Sequence, residues 1–261
     1  MKKSLLEIWQ FRELLGGLVK KDIKLRYKQT LIGIAWAVFS PITLTLIFSS
    51  VFSGFTAGKT GAIPRYPLFV YSGLAVWFLF SGSLSSAVSV LVNNSSLVTK
   101  VYFPREVFPL SAVFSKLLDF SLALAVLLIM LPFFKVPLSA GLLWIPVIVL
   151  VQLAFTAGLA LLLSMGNLFF RDVKYIFDSV ITIWMFATSV IYPIKSVSPL
   201  KNNLLALNPM IPIIDAFRGA VFEGRLSNPI PFMLASGIAF ITLFAGLALF
   251  HKMEYLFAER I

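Results

Sequence analysis

The sequence predicts an all-α membrane protein with six transmembrane helices, an N-terminal interfacial helix and a pair of re-entrant half-helices at the outer face. Three observations carry this. Of 261 residues, 59% are hydrophobic and 13% charged, whereas soluble domains carry roughly a quarter charged. Six apolar runs reach the roughly 20 residues needed to cross a hydrocarbon core about 30 Å thick. The net charge of +11 gathers in short segments beside those runs, as the positive-inside rule expects. That placement argues against nucleic acid as a partner, although basic surface alone would raise it. No stretch between the runs is long enough for a soluble domain. The chain therefore reads as one transmembrane domain over 1–261: a cytoplasmic interfacial segment at 1–30, a bundle at 31–250 and a cytoplasmic tail at 251–261.

Taken in order, Leu5, Ile8, Phe11, Leu15, Leu18 and Val19 recur at helical spacing, which predicts an amphipathic helix over 5–19 lying at headgroup level. No uninterrupted apolar core and no small-residue cleavage site precede it, so no signal peptide is expected. The most basic segment follows, with Lys20, Lys21, Lys24, Arg26 and Lys28 directly before the first long run. It sets the N-terminus in the cytoplasm. Spans are expected near 31–55, 67–92, 110–133, 142–170, 175–194 and 230–250, which returns the C-terminus to the same side. Under this topology fifteen of the 22 Lys and Arg residues fall inside and seven outside.

The turn between the fourth and fifth spans holds Arg171, Asp172 and Lys174 between two nearly uncharged runs. A lipid-facing charge is costly, so these three mark a membrane surface, taken as the inner one. Segment 199–223 is apolar but contains Pro209, Pro212, Asp215 and Arg218. Proline breaks helix hydrogen bonding, and irregular backbone at membrane depth needs protein or water to cover it. Two half-helices dipping back from the outer face satisfy both demands, with Asp215 and Arg218 one turn apart and able to pair. Lys116 and Asp119 form a similar pair near the inner end of the third span.

Chemistry is sparse. There is no cysteine and a single histidine, His251, which removes thiol nucleophiles, disulfides and Cys/His zinc sites. Neither a catalytic set nor metal-ligand spacing is found, so no catalytic residue, metal or cofactor is expected in this chain and it does not read as an enzyme. Gly54 to Thr60 imitates a phosphate-binding loop, but only three residues separate its glycines where the motif needs four, and no strand precedes it. The spans do hold aromatics: Trp77 and Phe80 in the second, Trp184 and Phe186 in the fifth, and Tyr192 at its outer end. These suit either lipid packing or a lining on which sugar rings slide, since an aromatic face is amphipathic and weakly adhesive.

Four pieces then point to a known family. Arg26-Tyr27-Lys28-Gln29-Thr30-Leu31-Ile32-Gly33-Ile34-Ala35-Trp36 with Pro41, Tyr102-Phe103-Pro104-Arg105-Glu106, Asn167-Leu168-Phe169-Phe170-Arg171-Asp172-Val173 and Asn208-Pro209 resemble, in order, the membrane subunit of ABC-2 type exporters of O-antigen, capsule or teichoic acid. The resemblance implies a homodimer over two copies of an ABC ATPase subunit, with ATP and Mg bound in that partner and a polyprenyl-linked glycan crossing the cytoplasmic (inner) membrane between the protomers. It makes 97–108 the helix that receives the ATPase stroke, carried by Leu97, Lys100, Tyr102, Phe103, Arg105 and Glu106, and 199–223 the outer gate. It sets Lys24, Arg26 and Lys28 where the glycan pyrophosphate would arrive. The alternatives are an ABC permease for a smaller lipid or drug, which shares the fold, and an ATP-independent carrier or lipid-acting enzyme; a carrier usually needs ionisable groups near mid-membrane, where they are sparse here, and an enzyme an acid/base pair near the interface, of which no convincing one is found.

Overall fold

The computed structural model describes residues 11–28, 33–59, 65–100, 103–192 and 208–257, and they are helical with no strand. In chain order the helices are α1 (Arg12–Tyr27), α2 (Trp36–Lys59), α3 (Tyr66–Val88), the short α4 (Val90–Asn93) and α5 (Ser95–Lys100), α6 (Val107–Phe133), α7 (Ile145–Phe169), α8 (Asp172–Phe186), α9 (Met210–Arg218) and α10 (Pro229–Met253). A π turn, Gly219–Glu223, extends α9. Among the described residues, five helical segments are long and apolar enough to cross a membrane: Gly33–Phe52, Tyr66–Val88, Val107–Phe133, Ala140–Phe169 and Pro229–Leu256.

The sequence expects six such spans, and the fifth of these, 175–194, differs. Its helix, α8, starts at Asp172 and stops at Phe186 after 15 residues. The chain then turns through 187–192, because the carbonyls released there are taken by side chains from the α9 region. The amide of Asn208 donates to Ala187 O at 3.3 Å and to Thr188 Oγ1 at 2.8 Å. Arg218 takes Ser189 O and Val190 O at 2.5 and 2.8 Å. Of the two half-helices expected over 199–223, only α9 lies among the described residues. Met210, Ile213, Ile214, Ala216 and Phe217 are fully buried in it, so protein covers this short element, as irregular backbone at membrane depth requires.

The N-terminal helix also runs further than the 5–19 expected: α1 continues to Tyr27 and so carries the basic segment along its length. It lies against α6 and buries Leu18. α3 forms the centre, between α6 and α7, with Leu74, Val76, Phe80 and Leu84 wholly enclosed. Its apolar character all round suits a helix surrounded by others. α7 in turn crosses α10 with the two backbones in close contact. A methyl on Gly158 would stand 2.6 Å from the backbone of Thr242 and Leu243, and one on Gly246 2.7 Å from Gly158 O. Small residues allow such backbone contact where apolar side chains gain nothing by leaving lipid. The outward faces of α2 and α10 remain largely apolar, with Leu46 and Ile241 each more than 60% exposed, as a lipid-facing surface requires, whereas the exposed face of α8 also carries Asp178, Ser179 and Thr182.

Candidate functional site

The charged centre of the molecule lies where α1 meets α6. Arg26, in the last turn of α1, pairs with Asp119 of α6 at 2.7 Å and donates to Ser115 Oγ at 3.2 Å. Tyr27 donates to the other Asp119 oxygen, and Lys116 approaches the carboxylate at 3.5 Å. Two cations thus share one carboxylate, which leaves a surplus positive charge in a partly buried place. Burial, with the hydrogen bond to Asp119, pushes the Tyr27 hydroxyl up to about 12. It therefore remains a donor at physiological pH and helps hold the carboxylate.

Arg26 borders two concavities. One, of about 360 Å³, is mostly apolar and lined by Trp36, Pro41, Phe78, Leu79 and Phe120, with Lys116 and Asp119 at its charged end. Gly82 lies at its wall beside the Lys116 side chain, which a methyl there would meet at 3.5 Å. The other, of about 390 Å³, is polar and lined by Lys21, Asp22, Ser86, Ser89, Asn93 and Asn94. Lys21 reaches Asn94 Oδ1 at 3.1 Å across it. Burial raises the Asp22 carboxyl above its ordinary value, opposed by Lys21 and Arg26. An apolar cleft, a cationic threshold and a polar groove in sequence match an amphipathic molecule joined by an anionic group, since guanidinium and ammonium both bind phosphate.

Comparison with known proteins fixes the class. A family model described as ABC-2 type transporter matches residues 13–222. The chain belongs to the ABC-2 type transporter family. It is 33% identical to an O-antigen export system permease, RfbA, of Myxococcus xanthus over 98% of both chains. It is 30% identical to the protein of that name in Klebsiella pneumoniae over 95% of this chain and 94% of that one. A polysialic acid transport protein, KpsM, of Escherichia coli is 23% identical over 91% and 92% of the two chains.

Within this ABC-2 fold the residues singled out by sequence separate into groups. Lys24 on α1 and Lys28 just after it are exposed, while Arg26 is drawn into the Asp119 pair. Sequence reasoning found the Lys116–Asp119 pair one turn apart but missed Arg26 and Tyr27, 93 and 92 residues away; no local spacing announces that contact. Arg171, Asp172 and Lys174 sit exposed at the turn between α7 and α8. Asp172 falls in the first turn of α8, where a carboxylate favours the helix dipole. Gly54 to Lys59, which imitates a phosphate loop, is helical backbone.

The segment 97–108 is not one helix. α5 ends at Lys100 and α6 opens at Val107, because Pro104 between them cannot continue a helix. Leu97 is exposed, but Phe103 and Glu106 are buried. Arg105 is also committed within the protomer: its guanidinium donates to Glu254 O at 2.5 Å and its backbone N–H to Glu254 Oε1 at 3.2 Å. The side chain of Lys100 and the whole of Tyr102 lie outside the described residues. Two of the aromatics expected to line a passage are likewise internal. Trp77 and Phe80 are 2% and 0% exposed, and Phe80 stacks on Phe155 and meets Trp184 edge-on at centroid distances of 5.7 and 5.2 Å. Here Trp77 and Phe80 fill the core between α3, α7 and α8, with Trp184 partly buried against them. Phe186 is exposed, and Tyr192 donates to its carbonyl.

Proposed function

We propose that this chain is the membrane-spanning permease subunit of an ATP-driven exporter of lipid-linked polysaccharide, O-antigen being the substrate best supported. Arg26 and Lys116 meeting on Asp119 between an apolar cleft and a polar groove is the observation that carries the reading. A polyprenyl chain suits the cleft, a pyrophosphate the surplus positive charge, and the first sugars the groove. The named relatives export O-antigen or transport polysialic acid, which supports a glycan over a small drug.

Two copies of the chain would enclose the passage, and two copies of an ABC ATPase subunit would drive it. ATP and Mg belong to that partner. The chain as a single domain with six crossings, counting α8, sets both termini on the cytoplasmic side of the inner membrane, in agreement with its Lys and Arg distribution. The exposed Leu97 face of α5 suits contact with the ATPase. Exposed Phe186 suits a weakly adhesive wall against which sugar moves. The outer gate is read as α9 with the 187–192 turn. ATP hydrolysis then moves α5, the dimer seam opens, and the lipid phosphate anchors at the α1–α6 threshold while glycan passes.

Co-purification with the ATPase subunit and reconstitution with polyprenyl diphosphate-linked glycan tests this. Lys116→Gln should cut substrate stimulation of ATP hydrolysis about tenfold, equivalent to the about 1.4 kcal/mol of one lost ionic contact, while leaving basal hydrolysis intact. Full stimulation in that variant would move the anionic group elsewhere.

A further inference from the structure

The fold assembles a second charged cluster that the transport reading does not use. Glu106, immediately before α6, meets His251 in the last turn of α10 and Glu254 just beyond it. One donor atom from each lies within 4.8 Å of the others. Glu106 is 1% exposed, and neither of its carboxylate oxygens accepts a hydrogen bond among the described residues. A buried carboxylate left without donors is costly. His251 Nδ1 stands 3.6 Å from Glu106 Oε1 and 3.8 Å from Glu254 Oε2, ion pairs when the imidazole is protonated.

Those separations are too long for hydrogen bonds, which would draw the atoms to about 2.9 Å. They approach the spacing of about 3.5 Å between two ligands that each stand about 2.1 Å from a tetrahedral ion. We propose that Glu106, His251 and Glu254 form a binding site for a divalent transition-metal cation, with zinc the best match. One imidazole and two carboxylates suit its borderline character, and the two negative charges neutralise the ion. His251 is 57% exposed in its side chain, which provides a route in and room for a water as fourth ligand. The N–H of Arg105 on Glu254 Oε1 at 3.2 Å orients that carboxylate from behind, in the manner of groups that fix metal ligands. The Arg105 guanidinium, on Glu254 O at 2.5 Å, opposes the ion's charge and lowers the affinity without occupying a ligand atom. Such an ion would fasten the start of α6 to the end of α10, joining segments nearly 150 residues apart.

The test uses the full chain in mild detergent, purified through a histidine-free tag, stripped with chelator and titrated with zinc. One zinc per chain should be retained after desalting. Because His251 is the only histidine, zinc should also shield the chain's entire imidazole reactivity towards diethyl pyrocarbonate. Glu106→Gln and His251→Ala should weaken binding by about tenfold or more, while Glu223→Gln, in an exposed ion pair elsewhere, should not. His251→Ala removes a surface side chain, so its loss of zinc with an unchanged elution profile separates ligation from misfolding. Failure to retain zinc, or retention unchanged in both ligand variants, overturns the proposal.

Discussion

The guanidinium carbon of Arg218 lies 3.5 Å from the centre of the Phe69 ring. From there the same side chain reaches the carbonyls of Phe69, Ser189 and Val190. It pairs only loosely with Asp215, at 3.8 Å. One buried cation thus ties α9 to the top of α3 and to the turn after α8. Gly73 makes room for it, since a methyl there would meet Arg218 Nη2 at 2.5 Å. Arg218→Ala should cost about 3–5 kcal/mol, the range for removing one partner of a buried charged contact, measured by thermal or denaturant melting in detergent. Arg218→Lys should recover less than half, because an ammonium cannot span three carbonyls or lie flat on a ring. Near-wild-type melting of both variants would show that the turn is held by other contacts.

At the α7–α10 crossing the backbones touch, so Gly158→Ala should force the helices apart. Overpacking of this kind costs about 1–3 kcal/mol. Gly246→Ala should do the same through Gly158 O, and the double variant should cost less than the sum of the two. Additive costs, read from melting curves, would place the two glycines at independent contacts.

Much of this architecture was legible in the sequence because lipid imposes a harsh filter. Length and apolarity located α2, α3, α6, α7 and α10, and prolines flagged both 199–223 and the break at Pro104. The turn at Arg171 followed from the cost of charge in hydrocarbon. Contacts between distant segments were not legible. The resemblance makes Arg105 and Glu106 coupling residues, and no local spacing announces that the fold also turns both towards the chain's own C-terminal segment. By sequence Trp77 and Phe80 suit packing or a lining equally well, and only the fold shows them enclosed in the core. Nor did His251 announce its contact with Glu106. Its carboxylate neighbour at 106 is separated from it by most of the chain.

Tyr27 offers a pH signature. Folded, it holds its proton more tightly than the ordinary value of 10.0, with its hydroxyl raised to about 12. Its contribution to stability is therefore complete below pH 10 and is lost as the pH rises towards about 12. The tyrosinate absorbance that Tyr27→Phe removes should emerge near that upper value. Tyr27→Phe should cost about 1 kcal/mol at neutral pH and flatten the alkaline fall in stability. A Tyr27 component that ionises at about 10 would contradict the Asp119 hydrogen bond.

Arg105 and Glu254 can be separated from any docking role by a double-mutant cycle on the isolated chain. Arg105→Ala and Glu254→Ala should each lower stability by about 1 kcal/mol. Because Arg105 also holds the backbone carbonyl of residue 254, which survives the second change, Arg105→Ala should remain costly in the Glu254→Ala background. Loss of transport with stability unchanged would reassign Arg105 to the partner surface.

The 15 residues of α8 rise about 22 Å, against a hydrocarbon thickness of about 30 Å. A helix this short, alone in lipid, would force the bilayer to thin by several ångströms beside it. Here the deficit is made up by protein: Asn208 and Arg218 satisfy the carbonyls past its end, and buried α9 covers them. The barrier beside α8 is therefore part helix and part side-chain plug, and a plug held by a handful of hydrogen bonds can be withdrawn without melting a transmembrane helix.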